Sequence, residues 1–383
     1  MMSEFITPKR IVSGENALDS AIKYIVPLGK KALIVTGKIV VTLDIFKHLT
    51  DLLSENGVEY EIFTGITGEP TDVMINEGVE AYKEAGCNFL IGIGGGSPLD
   101  SMKAIGALVT NGGKISDYMG KIIEKPLPPM AAIPTTAGTG SEATQFTVIT
   151  DSEKNIKMLL KGTVLIPDVA VVDGELTKSS PKGITASTAL DALTHAVEAY
   201  TSKKAQPLTD PYCVAAVQKI FKYLPSAYDN GEDIKARNEL AIAALEAGIC
   251  INNSSVTIVH GMSRPIGALF HVSHGTSNAM LLEKCMAFAV DGAYNKFAVL
   301  GKAIGVAENS ESDKDAAEKF IKALGEICER CEIPTLAEYG INKDKFFEVM
   351  DKMATDAIAS GSPSNTIKEV TKEDVLKLYK SLW

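Results

Sequence analysis

The feature that most constrains the fold is a change of hydrophobic pattern near residue 180. Before this point, short apolar runs at residues 32–35, 89–93 and 130–133 alternate with helical segments. Such a run is typical of a strand that is buried on both faces of a parallel sheet. After this point, apolar residues recur at helical spacing almost to the end of the chain. The sequence therefore predicts a doubly wound parallel α/β domain over residues 1–180 and an all-helical domain over residues 181–383.

A glycine-rich turn directly follows one of these predicted strands. Residues 94–100 are Gly-Gly-Gly-Ser-Pro-Leu-Asp, in which Ser97 fits the N-cap of a helix. Glycines let backbone N–H groups approach a phosphate, and a helix N-terminus favours the anion. The motif departs from G-x-G-x-x-G, and a tight strand–helix turn would also favour glycine. The context of strand, glycines and helix favours a pyrophosphate site. Its candidate residues are Gly94, Gly95, Gly96, Ser97 and Asp100.

A second loop of small residues follows the next predicted strand. Residues 134–142 are Pro-Thr-Thr-Ala-Gly-Thr-Gly-Ser-Glu. The carboxyl end of a parallel strand is where an α/β sheet places ligands. A flexible linker is the alternative, but a strand pattern resumes at residues 146–150, which favours a binding loop. Thr135, Thr136 and Lys157 are therefore further candidate contacts for a dinucleotide cofactor.

Four of the five histidines lie in the helical half of the chain: His195, His260, His271 and His274. Asp191 and His195 are four residues apart on a predicted helix, which places them on one face. With His260 and His274 they would supply one carboxylate and three imidazoles, a set that suits Fe(II) or Zn(II). A helix ion pair or a satisfied core histidine would explain any one of them alone. Their coincidence beside a cofactor motif favours a metal site.

The composition excludes some classes of partner. The net charge of −10 and the pI near 5.2 argue against binding to nucleic acid or to anionic membrane surfaces. No apolar run reaches the roughly 18 residues of a membrane span. The first residues contain no apolar region of the signal-peptide type. We therefore expect a cytoplasmic protein with a small-molecule substrate and neither a nucleic-acid nor a membrane partner.

Taken together, these motifs resemble those of the iron-containing (group III) alcohol dehydrogenase family. The resemblance covers nearly the whole chain and depends on the order and spacing of five segments. These are residues 94–100, 134–142, 191–198, 259–262 and 274–275. It implies a dehydroquinate synthase-like fold, with a dinucleotide-binding α/β domain followed by an all-helical domain. It also implies a homodimer or a larger homo-oligomer.

The resemblance also implies the chemistry. One Fe(II), or sometimes Zn(II), would be held by the residues that match the family ligands, namely Asp191, His195, His260 and His274. The implied enzyme is an NAD(P)-dependent alcohol dehydrogenase and aldehyde reductase. Hydride would pass reversibly between the nicotinamide and a short-chain primary alcohol or diol whose oxygen is held on the metal.

Two positions depart from the family pattern. Many members carry a histidine four residues after the third ligand, often assigned to a proton relay, and here that position is Arg264. The hypothesis is that His271 transfers the proton instead, or that Arg264 contacts an acidic or polar group of the substrate. NAD-preferring relatives often place Asp just after the first strand, where this chain has Gly37 followed by Lys38. An Asp at this place would repel the 2′-phosphate of NADP(H), so its absence here favours NADP(H), with NAD(H) left open.

Three alternatives share these features. One is an enzyme resembling dehydroquinate synthase or glycerol dehydrogenase, although those relatives hold zinc with a different ligand set. Another is an oxo-acid transhydrogenase that keeps its cofactor bound, for which Arg264 would suit an acid substrate. The last is a non-catalytic metal or nucleotide sensor, although the sequence retains every family motif except the relay histidine.

Overall fold

The chain forms two compact units in the computed structural model, which describes residues 3–154 and 156–383. One unit is Ile6–Ser180, and the other is Pro181–Trp383 together with the described residues of the N-terminus up to Phe5. The predicted fold class, a parallel α/β part followed by an all-helical part, is confirmed by the elements described below.

The first unit is built around a parallel sheet. Its strands are β1 (Arg10–Ser13), β2 (Lys31–Val35), β3 (Glu59–Phe63), β4 (Phe89–Gly94), β5 (Met130–Pro134), β6 (Phe146–Asp151), β7 (Ile156–Lys161) and β8 (Val169–Val172). Its α-helices are α1 (Ala17–Ile25), α2 (Asp44–Glu55), α3 (Asp72–Glu84) and α4 (Gly96–Asn111). Within the described residues, six strands pair in the order β1-β8-β5-β4-β2-β3, and β6 and β7 form a separate antiparallel hairpin.

Both faces of this sheet are buried. Leu33 and Val35 of β2 share one apolar cluster with side chains of α3 and α4. Ala32 and Ile34 share a second cluster with side chains of α1 and α2. Because successive side chains of a strand point to opposite faces, a strand that is covered on both sides needs an apolar residue at every position. This explains the uninterrupted apolar run in the sequence.

The strand order reverses at β2 and β4. The chain leaves β2 towards β3 on one side and leaves β4 towards β5 on the other. The loops that follow β2 and β4 therefore diverge at the carboxyl edge, where such sheets bind ligands. The Thr36 hydroxyl donates to the Ile93 carbonyl at 2.8 Å, and the Thr135 N–H donates to the Gly94 carbonyl at 2.8 Å. These bonds join the ends of β2, β4 and β5.

The second unit is helical in its described residues. Its α-helices are α5 (Lys182–Thr201), α6 (Asp210–Asp229), α7 (Ile234–Asn253), α8 (Ile258–Phe270), α9 (His274–Ala289), α10 (Tyr294–Ala303), α11 (Asp313–Arg330), α12 (Lys343–Ala359) and α13 (Lys372–Lys380). Helix α5 is buried around most of its circumference, and α6, α7 and α9 pack against it. A helix with small and apolar residues on all sides is typical of a central position.

Two helix boundaries differ from the sequence prediction near the histidines. The helical spacing of the sequence predicts a helix over residues 253–265, whereas the observed helix runs from Ile258 to Phe270 and contains Pro265. The helix predicted to begin at residue 277 begins at His274. His260 and His274 therefore both lie in the first turn of a helix.

No single helix among the described residues is both long and apolar enough to cross a membrane. Helices α7 and α8 meet the length and composition criteria only as a pair, with a bend of 103° between them.

Candidate metal centre and dinucleotide loops

One carboxylate and three imidazoles converge in the helical unit. Asp191 and His195 lie one turn apart on α5, His260 lies in the first turn of α8, and His274 is the first residue of α9. One donor atom of each lies within 4.8 Å of the donor atoms of the other three. Asp191 Oδ1 is 3.9 Å from His195 Nε2 and 3.7 Å from the Nε2 atoms of His260 and His274.

These distances fit a divalent first-row cation. Donor atoms about 2.0–2.2 Å from a tetrahedral ion are about 3.3–3.6 Å from one another, slightly closer than the 3.7–3.9 Å between Asp191 Oδ1 and the three Nε2 atoms. Three nitrogen donors, one oxygen donor and no thiolate suit Fe(II) or Zn(II). The chemistry and the spacing of the donor set therefore both accommodate the ion.

The side chains of the cluster have the protonation states that metal binding requires. Burial by itself would raise the pKa of the Asp191 carboxyl, but the three imidazoles together hold this pKa below its ordinary value. Burial, reinforced by the imidazoles of His195 and His274, lowers the pKa of His260 well below its ordinary value. Asp191 is therefore ionised and His260 neutral, which are the protonation states in which these groups bind metal.

Glu198 determines the orientation of His260. It lies on α5, is fully buried, and places its Oε2 2.5 Å from His260 Nδ1. Its Oε1 accepts hydrogen bonds from the Thr257 hydroxyl and the Val259 N–H, each at 2.7 Å. When Nδ1–H donates to a carboxylate, Nε2 carries the free lone pair. That lone pair is the one directed at the cluster.

Asn278 is a residue of this cluster that the sequence analysis missed. It lies one turn after His274 on α9 and is fully buried. Its Nδ2 donates to Asp191 Oδ1 at 2.7 Å. The spacing of four residues from a candidate ligand was the signal in the sequence that could have identified it.

Two glycines allow the helices that carry the histidines to pack closely. A Cβ on Gly275 would lie 2.3 Å from the backbone oxygen of Ser187 in α5. A Cβ on Gly261 would lie 2.6 Å from Cγ of Pro363. A larger residue at position 275 would push α9 away from α5, and one at position 261 would push α8 away from Pro363.

The two candidates for proton transfer lie at different places on α8. Arg264 follows His260 by one turn, its Nη1 donates to the Ser362 hydroxyl at 3.0 Å, and burial lowers its pKa. His271 is the C-cap residue, is exposed, and adopts a left-handed backbone with φ of 55°. His271 does not belong to the group of four whose donor atoms converge.

In the α/β unit, the prediction that Ser97 is the N-cap of α4 is wrong. Gly95 is the N-cap, and the helix begins at Gly96, two residues before Pro98. Gly94 has a φ of 147°, which favours glycine, and a Cβ on Gly96 would lie 2.8 Å from Thr139 Cγ2. The glycines thus let the helix begin earlier and let the second loop approach it closely.

Asp100 and Lys103 hold the second loop against α4. Asp100 accepts hydrogen bonds from the Ser141 hydroxyl at 2.6 Å and from a backbone N–H of β6 at 2.8 Å. Lys103 is fully buried and donates to the carbonyl oxygens of Thr144 and Phe146, each at 2.9 Å. The sequence analysis did not identify Lys103, although it lies one turn after Asp100 on the same helix.

The other candidate cofactor residues occupy varied settings. Gly37 lies just beyond β2, and Lys38 beside it is exposed. The side chain of Thr136 would be 3.6 Å from a Cβ on Gly95, so the second loop reaches the glycine turn. Lys157 is on β7, and its Nζ lies 2.7 Å from a carboxylate oxygen of Glu69. Its charge is therefore paired within the protein.

Comparison with known proteins gives matches over both units. The model of the family described as iron-containing alcohol dehydrogenase matches residues 8–174. The model described as Fe-containing alcohol dehydrogenase family, C-terminal, matches residues 185–383. The chain is 37% identical to the NAD-dependent methanol dehydrogenase of Bacillus methanolicus, over 99% of this chain and 100% of that protein.

Two further matches concern a diol. The chain is 33% identical to the 1,3-propanediol dehydrogenase of Citrobacter freundii, over 99% of this chain and 98% of that protein. Among solved structures, that of a 1,3-propanediol oxidoreductase superposes with a TM-score of 0.96 at 32% identity, and each chain is covered over 100% of its length.

Proposed function

The chain belongs to the iron-containing alcohol dehydrogenase family, and from this premise we propose a substrate class and the roles of its residues. The proposed reaction is reversible hydride transfer between a nicotinamide dinucleotide and a short-chain primary alcohol or diol. The observation that carries the proposal is the convergence of Asp191 with three imidazoles in the helical unit. The relatives named for methanol and 1,3-propanediol support a small substrate.

In this proposal, Asp191, His195, His260 and His274 hold one Fe(II), with Zn(II) as the other candidate. When bound, such an ion acts as a Lewis acid that polarises an alcohol or carbonyl oxygen. Burial keeps the His260 imidazole neutral, and Glu198 keeps its Nε2 directed at the cluster. The single negative charge of the ionised Asp191 would offset only one of the two positive charges of the ion. The site would therefore keep a net positive charge, which polarisation of a substrate oxygen requires.

The glycine turn before α4 is the proposed pyrophosphate site. Gly94, Gly95, Gly96 and Ser97 bring backbone N–H groups to the N-terminus of α4, where the helix dipole favours an anion. Thr135 and Thr136 border this turn from the neighbouring strand end. Asp100 and Lys157 contribute by holding the surrounding loops through their hydrogen bonds.

We also propose NADP(H) as the preferred cofactor. Gly37 presents no carboxylate that would repel a 2′-phosphate, and the exposed Lys38 supplies a positive charge beside it. Lys38→Glu should then lower kcat/KM for NADPH several-fold more than for NADH. Lys83→Glu, which changes an exposed lysine on α3, is the control. A strong preference of the unaltered enzyme for NAD(H), the cofactor in the name of one relative, would overturn this point.

For proton transfer we propose His271, with Arg264 as a contact for a polar or acidic substrate group. His271→Asn tests the first role, because asparagine tolerates the left-handed backbone found there. The variant should shift the pH dependence of kcat, and an unchanged profile removes His271 from the role. Arg264→Gln should raise KM for acid-bearing aldehydes more than for neutral ones.

One experiment tests the central assignment. His260→Ala should lose bound metal and alcohol dehydrogenase activity together, measured by elemental analysis and by a panel of alcohols and aldehydes. His48→Ala is the matched control, because His48 lies on α2 and is paired with Asp19. Full activity of metal-free His260→Ala would refute the assignment.

A second candidate is an oxo-acid transhydrogenase. The observation that favours it is the largely enclosed guanidinium of Arg264, one turn from His260, which would suit a carboxylate substrate. Turnover of an alcohol and an oxo-acid without added nicotinamide would identify this activity, whereas strict dependence on added NAD(P)(H) would exclude it.

A further inference from the structure

Helix α8 contains a proline shortly after the part that carries His260. Pro265 has no N–H group, so the carbonyl of Gly261 has no donor four residues further along the helix. The proline ring also crowds that carbonyl, which weakens the coupling between the two halves of the helix. Contacts from outside the helix therefore contribute more to the position of residues 258–264 than they would in an uninterrupted helix.

One of these contacts comes from the last helix of the chain. The Tyr379 hydroxyl of α13 donates to the Met262 carbonyl at 2.7 Å. Tyr379 is fully buried, and burial raises its pKa well above the ordinary value, so the hydroxyl keeps its proton and remains a donor. The bond is made one residue after Gly261, whose carbonyl Pro265 leaves without a helical donor.

Asn365, in the segment between α12 and α13, fixes the chain that leads into α8. Its side-chain amide donates to the Ser255 hydroxyl at 2.8 Å and to the Val256 carbonyl at 3.2 Å. Its backbone carbonyl accepts from the Lys203 N–H at 2.8 Å, just after α5 ends at Thr201. Asn365 therefore joins the end of one ligand-bearing helix to the start of another.

Two neighbours of Asn365 contact α8 itself. A Cβ on Gly261 would lie 2.6 Å from Pro363 Cγ, so these two residues are closely packed. The Ser362 hydroxyl accepts from Arg264 Nη1 at 3.0 Å. With the hydrogen bond from α13, the C-terminal part of the chain contacts α8 at several points before its proline.

Aromatic packing fixes the position of Tyr379 in turn. Its ring meets that of Phe346 of α12 edge-on, with centroids 5.7 Å apart. Phe346 is fully buried and also contacts Trp383 and Phe270, the last residue of α8, with centroids 5.5 Å apart in each case. A phenylalanine at position 379 would keep this packing and lose only the hydroxyl.

From these contacts we infer that Tyr379 and Asn365 are positioning residues that fix the part of α8 that carries His260. The inference rests on the proposed function, because it assumes that His260 is one of four ligands of a divalent ion. A ligand set binds its ion well only when each member is held close to the productive geometry. Loss of either hydrogen bond should therefore weaken metal binding, because binding would then have to supply the energy of positioning.

The test measures zinc affinity and stability in the full chain, stripped with a chelator and titrated with Zn²⁺ against a chromophoric chelator. Tyr379→Phe should raise the dissociation constant about threefold to tenfold, which corresponds to the net free energy of one hydrogen bond. Tyr228→Phe is the matched control, because Tyr228 is buried on α6 and its hydroxyl donates to Glu332 at 2.7 Å. Both variants should lower the melting temperature by comparable amounts, and only Tyr379→Phe should weaken zinc binding.

Two further variants complete the test. Asn365→Ala leaves α13 unchanged and should also weaken zinc binding, so the inference does not depend on the folding of a single variant. Pro265→Ala restores an N–H group for the Gly261 carbonyl, and in this background Tyr379→Phe should change the dissociation constant by less than about twofold. An effect of Tyr379→Phe that is equally large in both backgrounds would contradict the part assigned to the proline.

The outcomes separate this inference from the proposed function. Zinc affinities of Tyr379→Phe and Asn365→Ala equal to that of the unaltered protein overturn the inference and leave the metal site in place. Failure of the unaltered protein to bind Zn²⁺ at all would instead refute the proposed metal site.

Discussion

At the scale of single residues, Asp191 is the shared partner of the candidate metal centre. Its Oδ1 is the acceptor for the Asn278 amide and faces the Nε2 atoms of His195, His260 and His274. A buried carboxylate is costly unless it is compensated. The Asn278 amide supplies part of that compensation, and a divalent ion would supply more.

Glu198→Gln should weaken the binding of Zn²⁺ by about 10-fold to 100-fold, because the amide no longer locks the His260 tautomer. The dissociation constant from chelator competition measures this effect. Glu246→Gln is the control, since Glu246 is also largely buried in the helical unit but pairs with Lys219. Equal zinc affinities of the two variants would contradict the role assigned to Glu198.

At the scale of elements, the contact between α5 and α9 brings His274 to Asp191. This contact is close because Gly275 has no side chain where α9 approaches the backbone of Ser187. Gly275→Ala should therefore cost about 1–3 kcal/mol of unfolding free energy through overpacking. It should also weaken zinc binding, because His274 moves away from the other ligands. Urea unfolding and zinc titration measure the two effects.

Gly183 provides the control for this substitution. It also lies on α5, but a Cβ there would meet no atom within 4 Å. Gly183→Ala should be neutral or stabilise the protein by up to about 1 kcal/mol, because alanine restricts the unfolded chain. If both alanine variants were equally stable, the close contact of α9 with α5 would not be what Gly275 provides.

A second element-scale contact joins α4 to the loop after β5 and has buried charges. Burial lowers the pKa of Lys103 to about 8, and the nearby carboxylates oppose this shift. Burial raises the pKa of Glu142 to about 7, although Lys103 opposes this shift. The folded protein therefore keeps a proton on Glu142 over a pH range in which the unfolded chain has released it.

The stability contributed by this proton depends on pH in a definite direction. Between pH 4.5 and 7 the folded state binds more protons at Glu142 than the unfolded state, so this contribution falls as pH rises. Glu142→Gln should remove it, and the difference in unfolding free energy between the variant and the unaltered protein should change by about 3 kcal/mol across that range. Denaturant unfolding at several pH values measures this.

Glu84→Gln, which changes an exposed carboxylate on α3, is the control for the pH experiment. Its unfolding free energy should follow that of the unaltered protein at each pH. A Glu142→Gln variant that behaved in the same way would show that the Glu142 carboxyl does not retain its proton in the folded protein.

At the scale of the whole molecule, each compact unit contains one of the two proposed binding sites. A cation should order α5, α8 and α9, whereas the dinucleotide should order the turn between β4 and α4. Zn²⁺ at about 100 times its dissociation constant should stabilise the folded protein by about 2.7 kcal/mol. Amide hydrogen exchange should slow in the three helices and not in β4 and α4. Equal slowing in both units would contradict separate sites.

The sequence predicted much of the site because its signals are local. The pair Asp191 and His195 followed from helical spacing alone, and the glycine turn followed from a strand, three glycines and a helix. Signals that depend on distant partners were missed. Lys103 looked like an ordinary helix lysine, since its carbonyl partners lie about 40 residues further along the chain. Asn278 was missed because an asparagine indicates a metal site only when its amide lies beside the candidate ligands, and the sequence does not show that proximity.

The order of buried strands and helices was determined by the sequence itself, because a strand that is covered on both faces needs apolar residues throughout and a helix needs them at its own period. Only the tertiary structure decided how close His260 and His274 come to Asp191. That distance depends on how α8 and α9 pack against α5, and such packing is set by side-chain volumes at positions far apart in the chain. It also decided that the α4 helix begins at Gly96 rather than after Ser97, because the neighbouring loop approaches the glycines.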